Sequence, residues 1–534
     1  MPAHDITAPA FSYDSGYVTI STSQYLEKTS CQTCQGFDPA LRLRAEGSLI
    51  IRHVPAISTT VKINDDQNTF SDHPLYLFRL LVTFKVPPSN GTTGQILTCS
   101  FFVGPVDISK LAQTFQDAIH LVRRLGIPYL WIDSLCIIQD DKEDWRAEAS
   151  RMCSVYENAH LTIAATWAKD GSHGLYSDDA SSYYVGRKIA TIDGHEVYVR
   201  RAINHQGLHV YLDHRDRADY PLLGRGWVYQ ERLLSRRFLQ FSRFELTWEC
   251  LGGDIRCQCG YERWTGGLLM KQTYFATLQQ LTRDQGGGDT ESAAWSRAGM
   301  GESWHHIVSH YSGLALSHTS DRFSALAGLA YRFREALADD YLAGLWRGSL
   351  VQDLQWRALG VGGGRRVPPR PTGPWRAPSW SWAAVDCPVD YDRPPTRMLQ
   401  DACDVLAAQC DFVDGALSEL QAGFVRLRGL LVRNAVLEVR EEGGGNVRMS
   451  VAGVELRYVW LDYARPAVCG MPVTLFRITM LDVGDFEHTK WLILCCVDGK
   501  PGTTYERIGI AAHFLMGSQS VDLEGATVEE IIIV

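Results

Sequence analysis

The chain has 534 residues, of which 45% are apolar and 21% are charged, and its formal net charge is -9. Length and composition predict about two to four folded domains with a large buried core. The acidic balance argues against nucleic acid as a partner, because phosphate binding needs a concentrated basic surface. The four arginines from Arg232 to Arg243 are a candidate anion site, but we interpret them as a solvated helix face.

Signals that direct a protein into or across a membrane are missing from the sequence. Residues 1–11 have no basic flank followed by an apolar run, as a secretory signal would require. No stretch contains about 18 uninterrupted apolar residues, the minimum for a membrane span. The 14 cysteines fit a reducing compartment, where most of them act as small buried hydrophobes. We therefore expect a cytoplasmic protein without a membrane partner.

Residues 1–70 are polar and irregular and form the first predicted segment. They contain the pair Cys31-x-x-Cys34, which has the spacing of half a zinc site. The second half of such a site is expected nearby, whereas the next cysteine is Cys99. We interpret the pair as two free thiols and expect neither a metal site nor a cofactor.

Residues 71–260 are predicted to form an α/β core. A helical stripe runs from Leu111 to Leu125, and Gly126 ends it. The apolar run 129–132 predicts a buried strand, 144–157 a second helix, and 159–165 another buried strand. Short apolar strands that are separated by helices favour a parallel sheet. We expect strands 129–132 and 159–165 to lie side by side.

The remaining sequence is predicted to form a helical region, 261–375, and a β-rich region, 376–534. Apolar or alternating runs separated by glycine and aspartate, from about residue 423 onward, are typical of antiparallel strands. Further predicted elements are a helix 227–239, a strand 244–248, a mobile loop 283–301, and helices 303–316 and 321–337, the last capped by Ser320 or Asp321.

The core prediction is one connected set of apolar side chains around the predicted sheet. Its members are Leu130, Ile132, Ile163, Trp227 and Trp248, together with Phe115 and Ile119 of the first helix.

Carboxylates beside the first predicted strand are the candidate catalytic residues. Asp133 follows the strand directly, at the edge where α/β sheets place ligand groups, although capping a turn is an equal alternative. Trp145 and Glu148 lie at the start of the next helix. A carboxylate there can stabilise positive charge that develops in a bound substrate, and the tryptophan can stack on a ring of that substrate. The alternative for Glu148 is a surface glutamate that favours the helix dipole.

Charged and aromatic residues further along the chain are the candidate binding residues. They are Arg225, Trp227, Tyr229 and Glu231 on one short helix, and Trp380 and Trp382 on an extended segment. We prefer a structural ion pair of Glu231 with Arg225 or Arg232. The two indoles at 380 and 382 fall on one face of the segment. They either line an apolar pocket or belong to the core, and we prefer the core. The histidines His305, His306 and His310 are interpreted as exposed.

A series of sequence blocks between about residues 105 and 515 follows the order found in one protein family. The blocks are Leu125-Gly-Ile-Pro-Tyr-Leu-Trp-Ile-Asp-Ser-Leu-Cys-Ile-Ile-Gln139; Asp144-Trp145, Glu148, Met152, Tyr156 and Ala164-Ala165; Arg225-Gly-Trp-Val-Tyr-Gln-Glu-Arg-Leu-Leu-Ser235; Leu246-Thr-Trp-Glu-Cys250; Asp321-Arg322 with Ala327-Gly328; Tyr341-Leu-Ala-Gly-Leu-Trp346; Pro378-Ser-Trp-Ser-Trp382; and Tyr505-Glu-Arg-Ile-Gly509. In this order they resemble the fungal heterokaryon incompatibility (HET) domain. The resemblance implies a TIR-like core with a parallel sheet, followed by helices and a C-terminal β-rich unit.

One family feature departs from the pattern. Family members usually carry an Ala-Leu-Ser-Tyr-x-Trp-Gly strand and turn upstream of the first helix. The corresponding region here is Leu75-Tyr-Leu-Phe-Arg-Leu-Leu-Val-Thr-Phe84, in which a strand is retained and the turn is missing.

Two functional hypotheses follow from the resemblance, and a pure interaction scaffold is a third if Glu148 is buried and no pocket exists. HET domains are related to TIR domains, some of which cleave NAD through a glutamate in a Trp-x-x-Glu-like helix, the spacing of Trp145 and Glu148. The first hypothesis is therefore an effector of self/non-self recognition or cell death that acts on an incompatibility partner protein or cleaves NAD weakly. The second is an enzyme of terpenoid or polyketide biosynthesis that cyclises a small-molecule ligand in an aromatic pocket. Walker, GxGxxG, HExxH and GxSxG motifs are missing.

Overall fold

The structure is a computed structural model. It describes residues 104–127, 129–178, 187–192, 195–199, 218–251, 290–360, 368–391, 400–413, 417–439, 447–451, 454–456, 458–463, 471–483, 486–516 and 526–534, with short pieces elsewhere. The Cys31–Cys34 pair lies outside these residues.

Seven α-helices are found in the described residues. They are α1 Gln113–Arg124, α2 Asp133–Cys136, α3 Lys142–Asn158, α4 Gly226–Leu234, α5 Thr290–Tyr311, α6 Ser324–Leu337 and α7 Leu350–Asp353.

The strands are short before residue 400 and long after it. The short ones are β1 Tyr13–Asp14, β2 Tyr17–Val18, β3 Leu75–Leu77, β4 Val82–Lys85, β5 Ile96–Cys99, β6 Gly104–Val106, β7 Thr162–Ala164, β8 Arg187–Ile192, β9 His195–Val199, β10 Arg237–Phe241, β11 Leu246–Cys250, β12 Arg256–Cys257, β13 Tyr341–Leu342, β14 Leu345–Trp346, β15 Trp356–Ala358 and β16 Val389–Tyr391. The others are β17 Gln400–Asp401, β18 Cys403–Phe412, β19 Leu420–Val439, β20 Val447–Val451, β21 Val454–Leu456, β22 Tyr458–Leu461, β23 Met471–Val483, β24 Phe486–Cys496, β25 Thr504–Met516 and β26 Thr527–Ile533.

The first two predicted helices are confirmed, and local chemistry explains where they end or begin. Helix α1 is followed by Gly126 at φ +67°, a left-handed conformation that glycine adopts without steric cost. Helix α3 begins after Asp141, whose carboxylate accepts hydrogen bonds from the backbone N–H groups of Glu143 and Asp144. Two otherwise unpaired donors of the first turn are satisfied in this way.

The sheet of the α/β core has the strand order β12-β11-β10-β7. Its parallel pair is β7 with β10, in the register Ile163 to Leu239. The predicted parallel pairing of 129–132 with 159–165 is therefore wrong. Residues 129–132 are extended without a strand partner in the described part, and Tyr129 is 76% exposed. Packing holds the segment in place. Leu130 packs on the apolar cluster around Leu121, and the ring of Trp131 contacts the ring of Tyr156.

Helix α4 is shorter than predicted, and a strand takes its second half. The helix ends at Leu234 because Ser235 is extended, with φ -62° and ψ 128°. Ser235 closes the last turn with two hydrogen bonds, since its N–H and its hydroxyl both donate to the carbonyl of Glu231. The chain then continues as β10, which is central in the sheet. The hydrogen bonds of β10 to β11 on one edge and to β7 on the other outweighed the helical pattern of residues 235–239.

Helix α6 packs against α3 and α4, and α5 packs against β16. The predicted loop 283–301 is wrong from Thr290 onward, where α5 begins. Helix α6 begins at Ser324 without a side-chain cap, so the predicted cap by Ser320 or Asp321 is also wrong. The prediction of exposed histidines fails for His310, which is 9% exposed, and for His305, which is bonded to Asp353.

The largest apolar core lies between α5, α6, the segment 377–391 and the C-terminal strands. Its largest buried side chains are Trp304, Trp346, Trp356, Trp380 and Trp382. The prediction of one core around the sheet is wrong, because its members are divided. Leu130 and Ile163 belong to a cluster with Leu121, Trp227 packs on the main core, and Trp248 packs on Cys250.

The predicted C-terminal β-rich region is confirmed as a ten-stranded sheet. Strand β19 pairs with both β23 and β26. Strands β23, β24, β25, β26 and β19 therefore form a closed, barrel-like ring of hydrogen-bonded neighbours. Closure leaves these strands without open edges. The molecule as a whole combines helices with mixed sheets and is an α/β protein.

Candidate functional site

Three helices, α3, α4 and α6, pack closely around the predicted catalytic and binding residues. At Gly328 of α6, a Cβ atom would lie 2.9 Å from the Cβ of Cys153 on α3 and 2.9 Å from Oε1 of Gln230 on α4. The Gly328 N–H donates to that same Oε1 at 3.2 Å. The missing side chain therefore lets the helices approach and fixes Glu231 of α4 beside α3.

Glu231 is the most perturbed carboxylate of this region. Burial raises its pKa to about 7, and the negative charge of Asp133 acts in the same direction. The Tyr156 hydroxyl of α3 donates a hydrogen bond to Glu231 and, with the Arg225 guanidinium, opposes the increase. A carboxyl group near pKa 7 exchanges its proton readily at neutral pH, as a general acid or base must.

Asp133 and Arg225 are the exposed charges beside Glu231. Asp133 opens the short helix α2, and its Oδ1 accepts from the Ser134 N–H at 2.7 Å. Helix α2 has no side-chain cap, so this bond does not make Asp133 the cap of the helix, and its charge acts on Glu231. Arg225 precedes the first residue of α4, and the adjacent Gly226 N–H donates to the Ala315 carbonyl at 2.7 Å. The predicted ion pair of Glu231 with Arg232 is not formed, because Arg232 bonds Glu249 at 2.8 Å.

Two tryptophans from different helices meet beside these charges. The indoles of Trp145 and Trp227 are in edge contact, with ring centroids 6.2 Å apart at 89°. The Trp227 Nε1–H donates to Oδ2 of Asp321 at 3.1 Å, and this bond fixes the orientation of the ring. Such edge-to-face pairs are favourable because the positive edge of one ring meets the negative face of the other.

Glu148 lies one helical turn after Trp145 and is already paired. Its Oε1 accepts from the Arg151 guanidinium at 2.7 Å, and the side chain is 13% exposed. The charges of Glu148 and Asp133 both raise the pKa of the Cys136 thiol, secondary to burial. The two predicted catalytic carboxylates therefore both lie near Cys136.

The other predicted binding residues lie deeper in the molecule. Tyr229 packs on the main core, with its ring 6.1 Å from that of Tyr311. Trp380 and Trp382 are both 0% exposed. The Trp382 Nε1–H donates to the carbonyl of Gly344 at 3.0 Å. Their burial agrees with the preferred interpretation of this pair as core residues.

Two residues of the site were not assigned a role from the sequence. Tyr156 appears in the sequence only as a member of a HET-like block, and Asp321 only as a block member and a candidate cap. Each bonds a residue far away in the sequence: Tyr156 bonds Glu231, and Asp321 bonds Trp227. Periodicity predicts that a side chain points inward, but not which polar group it meets there.

The arginine cluster 232–243 is not a solvated helix face. Arg232 bonds the buried Glu249, Arg237 donates to the His160 carbonyl at 3.2 Å, and Arg243 lies 3.7 Å from Asp219. Within the described residues, no group of three or more His, Cys, Asp or Glu side chains is arranged to hold a metal ion. No helix in that part of the chain is both long and apolar enough to cross a membrane.

Comparison with known families supports the sequence resemblance. Residues 89–231 match the family model of the heterokaryon incompatibility protein (HET). The match includes Asp133, Trp145, Glu148 and the stretch from Arg225 to Glu231, and it ends before Trp380 and Trp382. No curated protein and no solved structure matches the chain.

Proposed function

We propose that this chain, in which residues 89–231 match the HET family model, is an effector of fungal self/non-self recognition or cell death, and that it cleaves NAD weakly. The observation that carries the catalytic part is Glu231, whose pKa is raised to about 7 beside Asp133 and Arg225. A pKa of this size at a group with specific partners supports a functional role.

The proposed reaction is hydrolysis of the bond between the ribose carbon and the nicotinamide nitrogen. Positive charge develops at the sugar carbon as this bond breaks, and the exposed carboxylate of Asp133 stabilises it. Glu231 accepts a proton from the attacking water, whose oxygen bonds to the sugar carbon while nicotinamide leaves with the bonding electrons. Glu231 then releases the proton to solvent.

Neighbouring groups have positioning roles in this proposal. Tyr156 donates to Glu231 and fixes its carboxyl group. Arg225 is exposed and supplies a cation for the pyrophosphate. The edge-paired indoles of Trp145 and Trp227 offer an aromatic wall for a base.

Glu148 remains the second catalytic candidate. Its spacing after Trp145 motivates it, whereas its ion pair with Arg151 lowers its availability to a ligand. Parallel variants of the two glutamates therefore distinguish the two assignments.

Nicotinamide release by the purified chain tests the proposal directly. We expect slow release by the wild type, a loss of at least about 100-fold in Glu231→Gln, and a smaller loss in Glu148→Gln. The matched control is Glu335→Gln, because Glu335 is a helix carboxylate that is 64% exposed. Release that is lost only in Glu148→Gln would move the catalytic role to that residue. Absence of release at high protein concentration would remove the NAD reaction.

The biosynthetic alternative ranks second. It depended on an aromatic pocket whose walls include Trp380 and Trp382, and both are fully buried in the core. Genes for terpenoid or polyketide synthases beside this gene would reverse the ranking, whereas a polymorphic incompatibility locus would support the effector role.

A further inference from the structure

A second pair of ionisable residues lies on another side of the molecule, between α5 and α7. His305 of α5 has its Nε2 2.7 Å from Oδ1 of Asp353 at the end of α7. Asp353 is 0% exposed, and its Oδ2 accepts from the Trp346 N–H at 2.7 Å. Both oxygens of this buried carboxylate are therefore used, and its position is set by the backbone of β14.

The imidazole is also fixed in its plane. The ring of Tyr391 stacks on it, with centroids 3.8 Å apart at 8°. Since Asp353 accepts the hydrogen bond, Nε2 carries the proton and the lone pair of the neutral ring lies on Nδ1. The His305 side chain is 15% exposed, and among the described residues Nδ1 has no hydrogen-bond partner.

A serine follows His305 by one helical turn, but it is directed elsewhere. Residues four apart lie on the same helix face, so Ser309 is the neighbouring hydroxyl. Its Oγ donates to Oδ1 of Asp390 at 3.4 Å. The other oxygen of Asp390 lies 3.2 Å from the Arg357 guanidinium. The hydroxyl proton of Ser309 is therefore engaged by Asp390, and water is the group available to Nδ1.

We infer that His305 is the general base of a second site, which activates water for the hydrolysis of small carboxylic esters. Nδ1 accepts a proton from water while the water oxygen bonds to the ester carbonyl carbon. The tetrahedral intermediate then expels the alcohol, which leaves with the proton held by His305. Asp353 is a positioning residue, because it touches only the imidazole.

The burial of Asp353 supports this inference. A carboxylate taken out of water costs free energy unless good partners compensate, so a buried pair is weak evidence for stability alone. An apolar pair would join α5 and α7 equally well. What Asp353 and Tyr391 add is a fixed tautomer and a fixed plane of a partly exposed imidazole, which is the arrangement that a general base requires.

Hydrolysis of p-nitrophenyl acetate by the full chain tests the inference. His305→Gln should lower the rate at least tenfold, and Asp353→Asn should lower it less while the protein stays folded. The matched control is His318→Gln, because His318 is an exposed histidine near the same helix and should contribute only the background rate of a free imidazole. Equal rates for the wild type and His305→Gln would overturn the inference.

A second measurement does not depend on the folding of any variant. In wild-type protein labelled with ¹⁵N-histidine, the His305 nitrogens should show protonated Nε2 and unprotonated Nδ1 in the neutral form. The opposite tautomer in the wild type would also overturn the inference.

Discussion

Arg507 of β25 and Asp462, which follows β22, form an ion pair inside the protein. The guanidinium Nε lies 3.0 Å from Oδ2 of Asp462, and the two side chains are 0% and 1% exposed. The same guanidinium donates to the carbonyls of Leu354 and Trp356 and lies 3.5 Å from the Trp356 ring. One side chain thus joins the C-terminal strands to the helical region.

Removal of the Arg507 charge should be strongly destabilising. Arg507→Met leaves the Asp462 carboxylate buried without its partner, which costs about 3–5 kcal/mol. The double variant Asp462→Leu with Arg507→Met should recover part of this loss. Thermal unfolding measures the series, and Arg433→Met, which breaks an exposed pair with Glu529, is the control. An effect of Arg507→Met no larger than that of the control would contradict the prediction.

The free energy of unfolding should decrease as pH rises, because of Glu231. Its folded pKa is about 7, against 4.5 for an ordinary glutamate. The native state therefore holds a proton that the unfolded chain releases, and this stabilising contribution is complete below pH 4.5 and lost as pH rises through 7. Glu231→Gln is neutral throughout. Its Tm relative to wild type should therefore increase from pH 5 to pH 8, and a decrease would show that Glu231 is not protonated in the native state.

A side chain at Gly328 should separate the three site helices. In Gly328→Ala the new Cβ meets Cys153 and Gln230 at 2.9 Å, closer than real Cβ contacts. We expect a loss of about 1–3 kcal/mol, as for overpacked cores. The control is Gly301→Ala on α5, where no atom lies within 4 Å of the added Cβ. That change should be neutral or stabilising by about 1 kcal/mol, because alanine favours a helix. Equal effects of the two variants would argue against close helix packing at the site.

Asp321 should hold the indole of Trp227 in place. Asp321→Ala removes the acceptor of the Nε1–H bond, at a cost of about 1 kcal/mol. Asp321→Asn keeps an acceptor oxygen and should be closer to wild type. Tryptophan fluorescence and quenching report the freed ring, and with NAD the KM should increase more than kcat decreases. Unchanged quenching in Asp321→Ala would show that packing on Trp145 alone orients the ring.

Elements with strong local signals could be predicted from the sequence. The end of α1 at Gly126 depends on the glycine itself, and the start of α3 depends on acidic residues beside it. The C-terminal strands were predicted because alternating apolar runs bury one face wherever they pair. The strand at 129–132 failed for the opposite reason, since an apolar run does not state which neighbour will pair with it.

The sequence predicted which residues belong to the candidate site, but it did not predict how their neighbours change their chemistry. Asp133, Trp145 and Glu231 were named from charge, aromaticity and position, and the HET resemblance over residues 89–231 was confirmed. The role preferred for Glu231 was an internal ion pair. Its raised pKa depends on burial beside α3 and on the charge of Asp133, whereas Tyr156 and Arg225 oppose the increase. These are interactions between residues far apart in the chain.

The sequence by itself determined the helical and strand segments with their own caps and periodicity, because those signals act over a few neighbouring residues. It also carried the resemblance to the HET family through blocks such as Leu125–Gln139, and residues 89–231 match the model of that family. Tertiary structure alone decided that β10 pairs with β7, that Trp380 and Trp382 are buried, and that the pKa of Glu231 is raised to about 7. These outcomes depend on which surfaces exclude water from each other, and desolvation is a property of the packed molecule rather than of any segment.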